Sequence, residues 1–209
     1  IDKLAQGNGN IVGISKNKPR EVTYYKEPSN KWESKVLKGY DLEGIYNAIS
    51  YGESNDSNGV FVIVGNEENN SYPIFMYSEN GVDWYKAIQQ NSMMGINYEL
   101  NDLVWTGKKF VAVGNSGTIY TSNDGKDWYV FDRKEIIKGE GAPLDYWFNY
   151  SKVSGYGDYI IAYSETQNGR LVSTDGGTNW IEKGPIKHND KEIDLIDFIV
   201  TNKGKDEPD

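Results

Sequence analysis

The sequence predicts an all-β fold: a β-propeller of four-stranded antiparallel blades with about four repeats. Three observations predict it. An eight-residue pattern ending in tryptophan recurs at Trp32, Trp84, Trp128 and Trp180. A short apolar run precedes each tryptophan by about twenty residues, giving a period of about 45–50 residues, the length of a propeller blade. Gly and Asn punctuate the chain every eight to twelve residues or so, and helical periodicity is nearly absent, as an all-β chain requires. The one stretch with helical character is Arg133 to Gly139.

Each repeat reads as four strands, here called a to d. Strand b is the apolar run: Ile11–Ile14, Phe61–Gly65, Phe110–Gly114 and Tyr159–Tyr163. Strand a precedes it in the last three repeats, at Tyr46–Tyr51, Asp102–Thr106 and Asn149–Ser154, followed by turns such as Gly107-Lys108-Lys109. Strand c ends at the octet, and strand d starts at its tryptophan. The repeats span roughly 1–40, 41–96, 97–140 and 141–192 of a single domain. The first has only a stub of strand a, around Asp2 to Ala5. Residues 193–205 resemble a strand a with its turn. We therefore expect that segment to close the ring by pairing with the strand b at Ile11–Ile14, unless the chain is a fragment of a larger propeller.

The octets align without gaps as Tyr77–Trp84, Thr121–Trp128 and Ser173–Trp180, with a worn copy at Tyr25–Trp32. Glycine at the fifth position (Gly81, Gly125, Gly177) permits positive φ, which a side chain would penalise by about 1–2 kcal/mol. Asn123 and Asp175 at the third position are placed to accept backbone N–H bonds and close an Asx-type turn, and Thr121 and Ser173 add a hydroxyl. Each tryptophan pins the turn to the strands beneath. The pattern resembles the Asp-box, Ser-x-Asp-x-Gly-x-Thr-Trp, of the BNR repeat propellers, which include sialidase-like, sortilin-like and photosystem-assembly-factor proteins. Ser173–Trp180 matches most closely, departing at Asn179. The two copies that depart furthest carry Tyr77, Tyr25, Glu79, Glu27 and Ser29 at box positions. The resemblance implies that the box is a structural turn remote from the ligand face, so the tryptophans read as hairpin anchors and not as a sugar-stacking ladder.

Composition narrows function. The chain of 209 residues has a net charge of −9, from 31 acidic and 22 basic residues, which opposes binding to nucleic acid. It has no cysteine, hence no disulfide or thiolate chemistry. No apolar stretch approaches the length of a membrane-spanning helix. No cofactor or metal motif is present: Ser54–Gly59 starts like a calcium loop, but Gly65 stands where that loop needs Glu. The lone His188 lies in a polar stretch with no triad partner near it. A sialidase-like site would need three arginines around a carboxylate, and Arg20, Arg133 and Arg170 are the chain's three. The Arg-Ile-Pro motif of that family is absent, and no Tyr–Glu pair stands out as nucleophile and base.

The expectation is a non-enzymatic, monomeric ligand- or protein-binding propeller, secreted or on a cell surface, with a protein or carbohydrate partner. A sialidase-like glycoside hydrolase and an assembly-factor scaffold are the alternatives. Binding should fall on the d-to-a and b-to-c connections, above all 87–100 and 132–146, which carry or border Met93, Met94, Tyr98, Arg133, Tyr146 and Trp147.

Overall fold

The computed structural model describes residues 1–26, 30–37, 44–53, 59–67, 72–90, 99–141, 147–188, 191–193 and 198–200. They form four antiparallel meanders, each ordered a-b-c-d. Sheet 1 is β1 (Lys3–Gly7), β2 (Asn10–Ile14), β3 (Glu21–Lys26) and β4 (Lys31–Val36). Sheet 2 is β5 (Gly44–Gly52), β6 (Val60–Glu67), β7 (Pro73–Ser78) and β8 (Tyr85–Lys86). Sheet 3 contains β10 (Leu100–Trp105), β11 (Phe110–Gly114), β12 (Ile119–Ser122) and β13 (Asp127–Val130). Sheet 4 contains β15 (Lys152–Tyr156), β16 (Tyr159–Ser164), β17 (Gly169–Ser173) and β18 (Ile181–Lys183). Among the described residues no helix is long and apolar enough to cross a membrane.

The sheets stack face to face. Alternation along each strand sends one set of side chains to the preceding sheet and the other to the next. Three apolar clusters fill the gaps between successive sheets. Val12 and Val22 of sheet 1 meet Phe61, Met76 and Trp84 of sheet 2. Val60, Val62 and Phe75 of sheet 2 meet Phe110, Tyr120 and Trp128 of sheet 3. Val111, Val113 and Ile119 of sheet 3 meet Ile160, Leu171 and Trp180 of sheet 4. The innermost strands β1, β5, β10 and β15 touch in series.

Two connections expected as loops do more. After β8, β9 (Ile88–Gln90) joins the outer edge of sheet 3, parallel to β13. After β13, a short 3-10 turn at Arg133–Glu135 leads into β14 (Ile137–Lys138), which joins the outer edge of sheet 4, parallel to β18. Each connection thus covers a strand edge that would otherwise face solvent. Sequence periodicity misses such strands because they are too short to alternate.

The expected pairing of the closing segment with Ile11–Ile14 is corrected. Sheet 1 has a full inner strand, β1, and β2 lies between β1 and β3, so both edges of β2 are occupied. Residues 191–193 instead form β20 (Lys191–Ile193) in a hairpin with β19 (Ile186–His188). Phe198 packs edge-on against Tyr163, with ring centroids 6.5 Å apart, and the Val200 N–H donates to Ser154 Oγ at 2.9 Å. These contacts place residues 198–200 on sheet 4. Residues 194–197 and 201–205 lie outside the described residues.

The c–d turns use hydroxyl, acid and glycine as anticipated, but two of them shift by one residue. In the last turn Ser173 Oγ accepts from Gly177 N at 2.8 Å, and Asp175 accepts from Thr178 N at 3.1 Å and Asn179 N at 2.9 Å. In the third turn these bonds are made by Ser122 and Asp124, not by Thr121 and Asn123. Ser122 Oγ accepts from Gly125 N at 2.8 Å, and Asp124 accepts from Lys126 N and Asp127 N at 2.8 and 3.0 Å. Ser78 and Asn80 do the same in the second turn. The physical reason is a one-residue contraction: Asp124–Gly125 and Asn80–Gly81 are adjacent, whereas Gly176 separates Asp175 from Gly177. In all three turns the indole N–H donates to the glycine carbonyl, at 3.1–3.2 Å. Gly125 has φ 75°, and a Cβ there would lie 2.6 Å from Val62 of the preceding sheet, so dihedral and space both demand glycine. In sheet 1, Tyr25 lies opposite Trp32 and donates to Asn30 Oδ1.

Donation from the Asn179 backbone N–H, then its side-chain amide, with Ser173 and Thr178 adding to both, holds the Asp175 carboxyl down at about 2. A depressed native pKa stabilises above the unfolded value of about 3.9, and this contribution is lost as pH falls toward 2. Asp175→Asn should therefore flatten the pH dependence of stability between pH 4 and 2, measured as urea midpoints. An unchanged slope would remove the turn carboxylate from the acid limb.

Candidate functional site

Antiparallel meanders place the a–b and c–d turns at one end of the stack and the d–a and b–c connections at the other. The first end is stitched internally. Asn8 of the β1–β2 turn donates to Glu79 O of the second c–d turn, and Lys108 pairs with Asp158 at 2.7 Å. The second end holds a cavity of about 380 Å³, to which all four sheets contribute.

Its frame is a set of asparagines at the starts of the inner strands. Bulges between Tyr46 and Ala48 in β5, and between Leu100 and Asp102 in β10, make Asn47 and Asn101 the extra residues. Each then bridges to the following sheet. Asn47 Nδ2 donates to Leu100 O at 2.8 Å, and Asn101 Nδ2 to Tyr150 O at 2.9 Å. Asn101 also donates to Asn115 Oδ1, whose own amide donates to Glu99. Asn149 Oδ1 accepts from Ser116 N at 2.8 Å. The frame is thereby rigid and largely self-satisfied.

Charge is added by lysines. Lys3 Nζ lies 2.8 Å from Asp102 Oδ1, and the buried Asp102 also accepts from Val153 N at 3.0 Å. One carboxylate thus ties sheets 1, 3 and 4 together across the inner strands. Lys16 and Lys152 also line the cavity, with Glu165. The surface they create is polar and hydrogen-bonding, and no aromatic ring is among its described lining residues.

The residues singled out from the sequence do not gather here. Tyr98 and Tyr146 lie outside the described residues, as do Met93, Met94 and Ser54–Asn58. Arg133 Nη1 donates to Ser116 O at 3.3 Å, and the Trp147 ring lies under the Lys138 ammonium, 3.7 Å from its centroid. Neither lines the cavity. The other two arginines belong elsewhere. Arg170 Nη1 donates to Gly184 O at 2.7 Å in sheet 4, and Arg20 precedes β3 in sheet 1. Trp84, Trp128 and Trp180 are buried between sheets, while Trp32 is half exposed. Among the described residues no cluster of His, Asp and Glu could hold a metal. The missed signal was an asparagine entering each inner strand after the first: Tyr46-Asn47, Leu100-Asn101 and Phe148-Asn149.

Solved structures share this fold. A structure described as YCF48 bound to D1 peptide superposes with a TM-score of 0.55 at 14% identity, covering 92% of this chain and 55% of that one. The fold is that of a β-propeller. YjhT matches at a TM-score of 0.51 and 9% identity, covering 91% of this chain and 66% of its own. YCF48 from Cyanidioschyzon merolae matches at 0.50 and 16%, covering 85% and 52%. The chain thus spans about half the length of the two YCF48 propellers. No family model matches the sequence, and no curated protein matches it.

Proposed function

We propose that this chain is a non-enzymatic, protein-binding propeller unit whose ligand face is the d–a and b–c end. The observation that carries this reading is the cavity there, which every sheet helps to line and whose asparagine frame is already locked by hydrogen bonds. Preorganised polar groups on a rigid scaffold recognise a partner at little entropic cost. The opposite end is occupied by its own turns. That a propeller of the same fold holds a peptide supports a protein partner over a carbohydrate. We read the c–d turns as Asp-boxes, contracted by one residue in two copies. A secreted or surface location, and a role as an assembly-factor scaffold, belong to the same proposal through that resemblance. The sialidase-like alternative gains no support from arginines held in three separate places.

The test is hydrogen exchange on the chain with peptides selected from a displayed library. Protection is expected at residues 14–18, 99–101, 115–118, 147–152 and 164–168. Protection confined to the c–d turns at 78–84, 122–128 and 173–180 would refute the assignment of the face.

A further inference from the structure

We infer that the cavity takes a carboxylate of its peptide ligand, held between the ammonium groups of Lys16 and Lys152. The inference rests on the reading of this face as a protein-binding site and names the chemistry that the site selects.

Five kinds of group meet the cavity, and most are already spent. The amides of Asn47, Asn101 and Asn115 donate to Leu100 O, Tyr150 O and Glu99. Ser151 Oγ donates to Tyr163 O and accepts from Glu165 N. Lys3 is paired with Asp102. Lys16 and Lys152 differ: both line the cavity, and neither makes an ion pair among the described residues. Asp2 stands near Lys16, but its carboxylate is engaged by the Lys16 backbone N–H at 2.7 Å and by Ser15 Oγ at 3.0 Å. Glu165 is the one acidic residue among the described lining, with Asp102 bonded to Lys3 and Glu99 bonded to Asn115 behind it.

Two lysines, one from sheet 1 and one from sheet 4, thus line the same cavity as the amide frame. An ammonium is a compact charge with three donors, suited to a carboxylate. The chain as a whole is acidic, so an anionic ligand gains nothing from long-range attraction and must be captured locally, within about one Debye length of roughly 8 Å. A peptide fits better than an acidic sugar. The described lining offers no aromatic ring for a sugar face, whereas amide floors match the polar edge of a peptide backbone.

The experiment uses the 209-residue chain and an array of octapeptides. Each peptide is present with a free C-terminal carboxylate, as its C-terminal amide, and with every Glu and Asp replaced by Gln and Asn. Uronic-acid oligosaccharides form a further arm. Carboxylate-bearing peptides are expected to bind about tenfold tighter than their neutral partners, the worth of one charge-assisted hydrogen bond. Lys16→Gln with Lys152→Gln should erase that preference, and Lys31→Gln on the outer strand β4 should keep it. Raising sodium chloride should weaken carboxylate binding to the unaltered chain, a readout that needs no substitution. Equal binding by neutral partners, a preference retained by the double variant, or no carboxylate-dependent peptide binding at all overturns the inference. Tighter binding of the uronic acids than of every peptide also overturns it. The two readings fail separately: carboxylate-independent peptides that still protect residues 147–152 leave the face standing, whereas loss of that footprint removes the face itself.

Discussion

Trp128→Ala is expected to lower the free energy of unfolding by about 3–5 kcal/mol, the cost of emptying a large aromatic site in a packed core. Trp32→Ala, at the equivalent position of sheet 1, should cost less than about 1 kcal/mol. The contrast follows from what each indole touches. Trp128 is fully buried between sheets 2 and 3. Its ring stacks on Phe75 of the preceding sheet at 4.4 Å, and its N–H is bonded to Gly125 O. Alanine would leave a void lined by Phe75 and Phe110 and would free the turn from the sheet beneath. Trp32 is 48% exposed and leans on Tyr25 alone among the described aromatics, with no described sheet packed over its indole. For a chain of this size the buried substitution should lower the thermal midpoint by roughly 10 °C. Urea denaturation of the two variants provides the check. Equal losses at the two positions would show that the tryptophans do not act as inter-sheet plugs.

That pair of residues also shows how far the sequence could be read. The tryptophans and the apolar runs were legible because they repeat, and repetition reports the one interaction every blade must make: burial against its neighbour. The strand order followed from them. Asparagine positions such as Asn47 and Asn101 were not legible, because their meaning depends on a bulge that turns one side chain out of the ladder toward the next sheet. Lys3 and Asp102 are 99 residues apart, and nothing local to either announces the other. The shift from Thr121 and Asn123 to Ser122 and Asp124 has a different origin. A gapless alignment fixes on the tryptophan and glycine, whereas the backbone donors fix on whichever oxygen lies two or three residues upstream of them. The spacing Ser-x-Asp or Ser-x-Asn at Ser78, Ser122 and Ser173 carried that information, but only once one residue of slack was allowed. The aromatic residues chosen for ligand binding were selected by residue type alone, and Trp147 shows the weakness of that criterion. Its ring is engaged by Lys138 within the fold.

Glu182→Ala is expected to destabilise the chain by about 2–6 kcal/mol, the cost of leaving two buried donors unmet. Glu182 is fully buried on β18, where sheet 4 meets the strand contributed by the preceding connection. Its carboxylate accepts from the Tyr150 hydroxyl, from the Lys138 ammonium and from Phe148 N at 3.2 Å. Burial pushes the Tyr150 phenol well above its ordinary pKa, so it remains a neutral donor. Alanine would strand that hydroxyl and the Phe148 N–H in the interior at about 1–3 kcal/mol each. Lys138 would suffer less, since its side chain keeps partial access to solvent and its contact with the Trp147 ring. The loss should therefore come from unmet donors rather than from the ion pair. This has a separate consequence: adding Tyr150→Phe to Glu182→Ala should recover part of the stability, because it removes one stranded group. Chemical denaturation of the single and double variants measures that coupling. Because Glu182 also braces β14 and residues 147–150 beside the cavity, the single variant should loosen amide exchange at 147–152 before the rest of sheet 4. A cost below about 1 kcal/mol, or no recovery in the double variant, would mean that water replaces the carboxylate and that this cluster does not brace the outer edge of sheet 4.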